Sequence, residues 1–197
     1  MRAKLPIAIL ISGRGSNMEA LLNACDAPDY PAEVVAVLSN NPDAAGLDIA
    51  RAKGIPAHAI DHRPFRQDRE SHERAMDRAL REAGARIICL AGYMRVLTPF
   101  FVKAWSGRML NIHPSLLPKY PGLHTHQRAL DSGDTTHGAT VHLVTSGVDE
   151  GPVIAQARIN IRPDDTAETL SERLLPKEHA LYQDALRQFI TDQASVL

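Results

Sequence analysis

Apolar residues fall into short unbroken runs that alternate with longer amphipathic stretches. Leu5-Pro6-Ile7-Ala8-Ile9-Leu10-Ile11, residues 34–38 and residues 86–91 read as buried strands, because a strand covered on both faces needs no polar alternation. Between them, residues 17–25, 44–53 and 66–83 place apolar side chains at helical spacing, and Gly54 and Gly84 follow the last two as stops. Residues 56–60 predict a short strand near an edge, 99–105 a short helix with Pro99 in its first turn, and 109–112 a fifth strand. Strand and helix alternating through tight connections predict an α/β fold with a doubly wound, mostly parallel sheet. The last third reads differently. Residues 139–144 and 153–161 are strands with no room between them for a crossover helix, so they predict antiparallel neighbours. Residues 167–190 predict a closing helix with a candidate kink at Pro176. No repeat or low-complexity linker interrupts the chain, and residues 1–197 read as a single domain.

Chemistry concentrates where the fifth strand ends. Asn111 and His113 alternate across Ile112, so they share a face, roughly 7 Å apart along the strand. Pro114 then stops the ladder. An amide that donates to a developing oxyanion, beside a ring that moves a proton, suits chemistry at a carbonyl. The plainer reading is a pair of strand-end side chains that satisfy backbone groups. Asp149, in Val148-Asp149-Glu150-Gly151-Pro152 after a later strand, can orient His113 and raise its pKa if the two strands are neighbours. A turn aspartate bonding its own backbone is the plainer alternative.

The loop Ser12-Gly13-Arg14-Gly15-Ser16-Asn17 lies between the first strand and first helix. Ligands of open parallel sheets bind beyond strand carboxyl ends, and a helix N-terminus there favours an anion. Ser16 and Asn17 can cap the helix or bond a phosphate oxygen. A dinucleotide fingerprint would need glycine at Met18 and an acid near Ser39-Asn40-Asn41, so the loop reads as a phosphate site and not an NAD site.

Charge narrows the partners. With 22 basic against 23 acidic residues the net charge is −1, which speaks against a nucleic-acid backbone as partner. Residues 5–11 are too short to span a bilayer and lack a signal-peptide cleavage pattern. Cys25 and Cys89 have no CxxC spacing and read as reduced core thiols, which suggests the cytoplasm. Nine histidines invite a metal, but His124-Thr125-His126 is a weak signal without HExxH or paired cysteines, so no metal is expected. His124 and His126 read as pocket wall, and His137 and His142 as structural or supporting.

Taken in order, three long segments carry a resemblance: residues 11–17, residues 90–97 (Leu-Ala-Gly-Tyr-Met-Arg-Val-Leu) and residues 110–122 (Leu-Asn-Ile-His-Pro-Ser-Leu-Leu-Pro-Lys-Tyr-Pro-Gly). His124-Thr125-His126, His137-Gly138, residues 148–152 and Glu178-His179 continue it over nearly the whole chain. The chain closely resembles the phosphoribosylglycinamide formyltransferases, the folate-dependent glycinamide ribonucleotide transformylases of purine synthesis. The resemblance implies a formyltransferase-type Rossmann-like catalytic domain and formyl transfer from 10-formyltetrahydrofolate, the co-substrate, to the amine of glycinamide ribonucleotide. It implies Asn111, His113 and Asp149 as catalytic residues, with Asn111 on the oxyanion and Asp149 positioning His113. It puts the ribonucleotide phosphate on Gly15, Ser16 and Asn17, and the ribose on Glu178. Folate would lie against Arg69, Met94, Arg95, Val96 and Leu97, with Asn111 and the loop Thr145, Ser146, Gly147, Val148 and Asp149. Its partners would be small molecules, neither nucleic acid nor membrane, and the protein a monomer or homodimer.

Two other readings compete. A 10-formyltetrahydrofolate hydrolase would give the formyl group to water and need no phosphate loop. A phosphate- or nucleotide-binding module without catalysis would need no acid–base pair. A methionyl-tRNA formyltransferase would carry a tRNA-binding domain, for which this sequence has no segment.

Overall fold

The first apolar run takes the central place that its two-sided burial demands. The computed structural model describes residues 3–194. In it β1 (Leu5–Ile11) pairs in parallel with β2 (Ala32–Ser39) on one side and β4 (Ile87–Leu90) on the other. β3 (Ala57–Ala59) continues in parallel beyond β2, and β5 (Met109–His113) beyond β4. β6 (Thr136–Leu143) and β7 (Val153–Asn160) then join antiparallel. The seven strands run β3-β2-β1-β4-β5-β6-β7. The chain winds outward from β1 to β3, then returns to β4 and winds the other way. The crevice between the ends of β1 and β4 is therefore the topological switch point, where ligands of such sheets bind.

Helices cover both faces. α1 (Ser16–Cys25), α2 (Ala45–Ala52) and α6 (Ala167–Ala194) bury Met18, Leu21, Leu47, Leu174 and Leu186 against one face. α3 (Arg69–Glu82) and α4 (Pro99–Ala104) bury Met76, Leu80, Phe101 and Trp105 against the other. Leu110 and Ile112 of β5, with Ala139 and Val141 of β6, belong to the first cluster. By the two-residue period of a strand, Asn111, His113, Thr140 and His142 therefore face the opposite side. The pattern that buries the sheet thus delivers the polar residues to one surface.

Some bounds differ from the sequence expectations. α3 begins at Arg69, not Arg66, because the Asp68 carboxylate accepts from the Ser71 N–H and caps it there. β5 runs one residue further, to His113, and β6 starts earlier, at Thr136. A seven-residue helix, α5 (Thr125–Asp131), stands where the sequence reading assigns no element. α6 continues through Pro176.

Candidate active site

The catalytic candidates meet because β5 and β6 are antiparallel. Their register sets Asn111 opposite His142 and His113 opposite Thr140. β6 leaves the sheet at Leu143, opposite Leu110, and the loop after it turns back so that Asp149 reaches the side chains of β5. Asp149 Oδ2 lies 3.3 Å from His113 Nδ1 and accepts from the Gly122 N–H at 2.9 Å. Its Oδ1 accepts from Asn111 Nδ2 at 3.4 Å and lies 3.6 Å from His142 Nε2. Asp149 adopts a left-handed backbone (φ 56°), which costs a non-glycine residue about 1–2 kcal/mol. Its contacts offset that cost. The next turn admits no side chain at Gly151, where an added Cβ would stand 1.7 Å from the Leu143 carbonyl oxygen.

Electrostatics at this cluster favour a charged carboxylate. Burial alone would raise the pKa of Asp149. Pairing with His142, the Gly122 N–H and the nearby His113 ring outweigh it and hold Asp149 below the usual carboxylate range. His113 is buried, and its Nε2 lies 2.9 Å from the Tyr120 carbonyl oxygen. Both ring nitrogens thus face oxygen acceptors, and only the imidazolium can donate to both.

The glycine loop starts α1 without a side-chain cap. Gly15 is the N-cap, in the left-handed region (φ 76°), and neither Ser16 nor Asn17 caps the helix as their types allowed. A Cβ on Gly15 would crowd Met18 and the Gly46 backbone at 3.1–3.2 Å. The first-turn N–H groups are thereby available to an anion. Arg14 is exposed beside them. Asn17 Nδ2 instead donates to Glu178 Oε2 on α6 at 2.9 Å, while Asn17 Oδ1 is buried without a partner. Burial raises the pKa of Glu178 against the opposing Asn17 hydrogen bond. A lone acceptor beside a buried carboxylate calls for donors such as sugar hydroxyls.

The loop after β4 crosses the mouth of the crevice. Met94 and Val96 are 65% and 56% exposed, so they are not core, whereas Leu97 packs partly against α3 and α4. Ser12 Oγ accepts from the Met94 N–H at 2.9 Å and donates to Asn40 Oδ1. α3 holds the other side. Arg69 Nη1 donates to the Val96 carbonyl at 3.1 Å, and Glu73 accepts from the N–H and hydroxyl of Thr98. Val148, 50% exposed, presents a further apolar side chain on the loop that also carries Thr145, Ser146 and Gly147.

The remaining histidines separate. His126 Nδ1 lies 3.0 Å from His137 Nε2, and burial lowers both pKa values, that of His137 to about 4. His124 is exposed at the start of α5. Among the described residues no three His, Cys, Asp or Glu side chains gather as metal ligands would.

Comparison with known proteins agrees with this geometry. Residues 5–186 match the family described as Formyl transferase. The chain belongs to that family. It is 46% identical over 176 residues to the phosphoribosylglycinamide formyltransferase of Escherichia coli K12, covering 89% of this chain and 82% of that protein. Its fold superposes on the crystal structure of phosphoribosylglycinamide formyltransferase from Brucella melitensis with a TM-score of 0.90 and 52% identity, over 95% and 96% of the two chains. It is also 45% identical over 192 residues to the trifunctional purine biosynthetic protein adenosine-3 of Drosophila melanogaster, of which it spans 14%.

Among formyl transferase residues expected from the sequence, the structure gathers Asn111, His113 and Asp149 into one cluster. It places Gly15, Ser16, Asn17 and Glu178 in another. Arg69, Met94, Arg95, Val96 and Leu97 lie on or against the intervening loop. The sequence underrated His142, which touches both Asn111 and Asp149. It missed Ser12 and Glu73. The signal for His142 was its register on the next strand, legible only once the antiparallel pairing is aligned.

Proposed function

We propose that this chain transfers the formyl group of 10-formyltetrahydrofolate to the amine of glycinamide ribonucleotide, giving formylglycinamide ribonucleotide and tetrahydrofolate. The observation that carries the reading is the close triad of Asn111, His113 and Asp149 at the edge of a crevice with an uncapped helix N-terminus. The names of the similar bacterial proteins support the same substrates.

Each residue then has a task. The N–H groups of Ser16 and Asn17 hold the acceptor's phosphate, with Gly15 allowing close approach. Glu178 and the free Oδ1 of Asn17 take the ribose hydroxyls. The exposed apolar side chains of Met94, Val96 and Val148 cover folate. Arg69, Arg95, Leu97 and the backbone from Thr145 to Asp149 complete that pocket. As the amine adds to the formyl carbon, an Asn111 N–H donates to the oxygen that gains charge. His113 carries a proton to the departing folate nitrogen, and Asp149 stabilises the charged ring. In this structure Tyr120 occupies His113 Nε2, so that nitrogen transfers a proton only after the carbonyl gives way. The site lies within a single catalytic domain that uses small molecules, needs no metal and works in the cytoplasm.

Tetrahydrofolate release, followed by absorbance with and without glycinamide ribonucleotide, tests the reading. Turnover that requires the ribonucleotide supports it, whereas turnover in its absence makes the protein a hydrolase. His113→Ala and Asn111→Ala should each lower kcat by about 100-fold or more, with folate KM little changed. Wild-type kcat in either variant removes that residue from the chemistry.

A further inference from the structure

We propose that Ser12 is a positioning residue for the formyl donor, although it stands at the head of the loop assigned to the acceptor's phosphate; this rests on reading residues 92–97 as part of the folate surface.

The sheet sets the two loops side by side. β1 and β4 are parallel, with Leu10 opposite Leu90, and the Ala91 N–H donates to the Leu10 carbonyl at 2.9 Å. Past that point the chains part, one toward α1 and the other toward α4. Ser12 bridges them twice. Its N–H donates to the Gly92 carbonyl at 3.1 Å, and its Oγ accepts from the Met94 N–H at 2.9 Å. The backbone partners fix both directions, since an N–H only donates and a carbonyl only accepts. Asn40, 5% exposed just past β2, lies 2.5 Å from the hydroxyl and holds it in place.

Apolar packing secures this loop only in part, through Tyr93 and Leu97, while Met94 and Val96 are exposed. Polar ties set its position. Gly92 and Met94 bond to Ser12, Val96 to Arg69 and Thr98 to Glu73. These ties fall on every second residue, as bonds along one edge of a strand do, which leaves the other edge toward the donor. The turn into α1 is held differently. The Gly13 carbonyl accepts from the Gly46 N–H of α2 at 3.1 Å. The Ser12 hydroxyl thus serves the loop across the crevice, and its removal leaves the contact between Gly13 and α2 in place.

Steady-state kinetics with both substrates varied test this. Ser12→Ala deletes the hydroxyl and keeps the backbone bond to Gly92. It should raise the KM for 10-formyltetrahydrofolate about fivefold to tenfold, with the ribonucleotide KM within about twofold of wild type. Ser12→Gly deletes the same hydroxyl, should Ser12→Ala not fold. Ser12→Thr keeps a hydroxyl and should restore most of the folate affinity. Asn40→Ala frees the hydroxyl, so it should raise folate KM in wild type and add little in a Ser12→Ala background. A ribonucleotide KM that rises as much as that for folate returns Ser12 to the acceptor site and overturns the proposal, as does an unchanged folate KM. Failure of the underlying reading shows separately, as a Val96→Asp variant whose folate KM is that of wild type.

Discussion

Glu178 is a carboxylate kept where its charge is poorly solvated. Its raised pKa means that the folded state holds a proton that the unfolded chain releases from about pH 4.5 upward. Stability contributed by this group is therefore lost as pH rises past the unfolded value, and the deficit is complete above the folded one. Glu178→Gln should melt at a higher temperature than wild type at pH 7 and show no such advantage below pH about 4. The same variant should bind the ribonucleotide more weakly. A melt unchanged at pH 7 would mean that burial costs this group nothing. Asp149 has the opposite sign. Its depressed pKa keeps it charged to lower pH than an ordinary carboxylate, so it stabilises the fold at neutral pH. Asp149→Asn should lose stability at pH 7 and converge with wild type in acid, as followed by thermal melts across pH. Both residues were legible as candidates from their place in motifs. Their environments were not, because burial and the Asn17 contact depend on residues far away in the chain.

At the level of elements, the first turns of α3 act as a rail for the loop over the crevice. Arg69, Glu73 and Met76 follow at helical spacing and meet Val96, Thr98 and Tyr93 in turn, the last through a Tyr93 hydroxyl 3.4 Å from Met76 Sδ. Glu73 also anchors the start of α4, since Thr98 is its N-cap and makes no capping bond with its own side chain. Glu73→Ala should raise folate KM by about tenfold while leaving ribonucleotide KM unchanged, because it frees one loop and leaves the half-buried Thr98 N–H without its partner. Equal effects on both substrates would place the folate surface elsewhere. The sequence predicted α3 and the loop separately but could not predict their contact. It also passed over α5, a seven-residue helix with two histidines at its start and no apolar stripe long enough to read.

Across the whole molecule, α6 ties the sheet together from below. Tyr182 on that helix is fully buried and its hydroxyl donates toward the carbonyls of Leu90 and Leu110, at 3.0 and 3.1 Å. These residues lie on β4 and β5, so one side chain spans two neighbouring strands under the site. Tyr182→Phe should destabilise the fold by about 1–2 kcal/mol in a denaturant titration, with the melt remaining a single transition. No change in midpoint would show that water already satisfies those carbonyls. The parallel order of the first five strands and the antiparallel final pair were both readable from run lengths and connections. The side of the sheet on which the reacting residues emerge followed from alternation alone, once Leu110 and Ile112 were known to be buried. The pairing of Asn17 with Glu178 was beyond such local logic, for it joins positions 161 residues apart. That separation has a consequence in time. On the ribosome, the surface proposed for the formyl donor and the trio of Asn111, His113 and Asp149 are complete in sequence by residue 149, while the pocket proposed for the acceptor still lacks a wall. The two halves of the proposed site are thus born in order, and the one that would hold the ribonucleotide is the last to close.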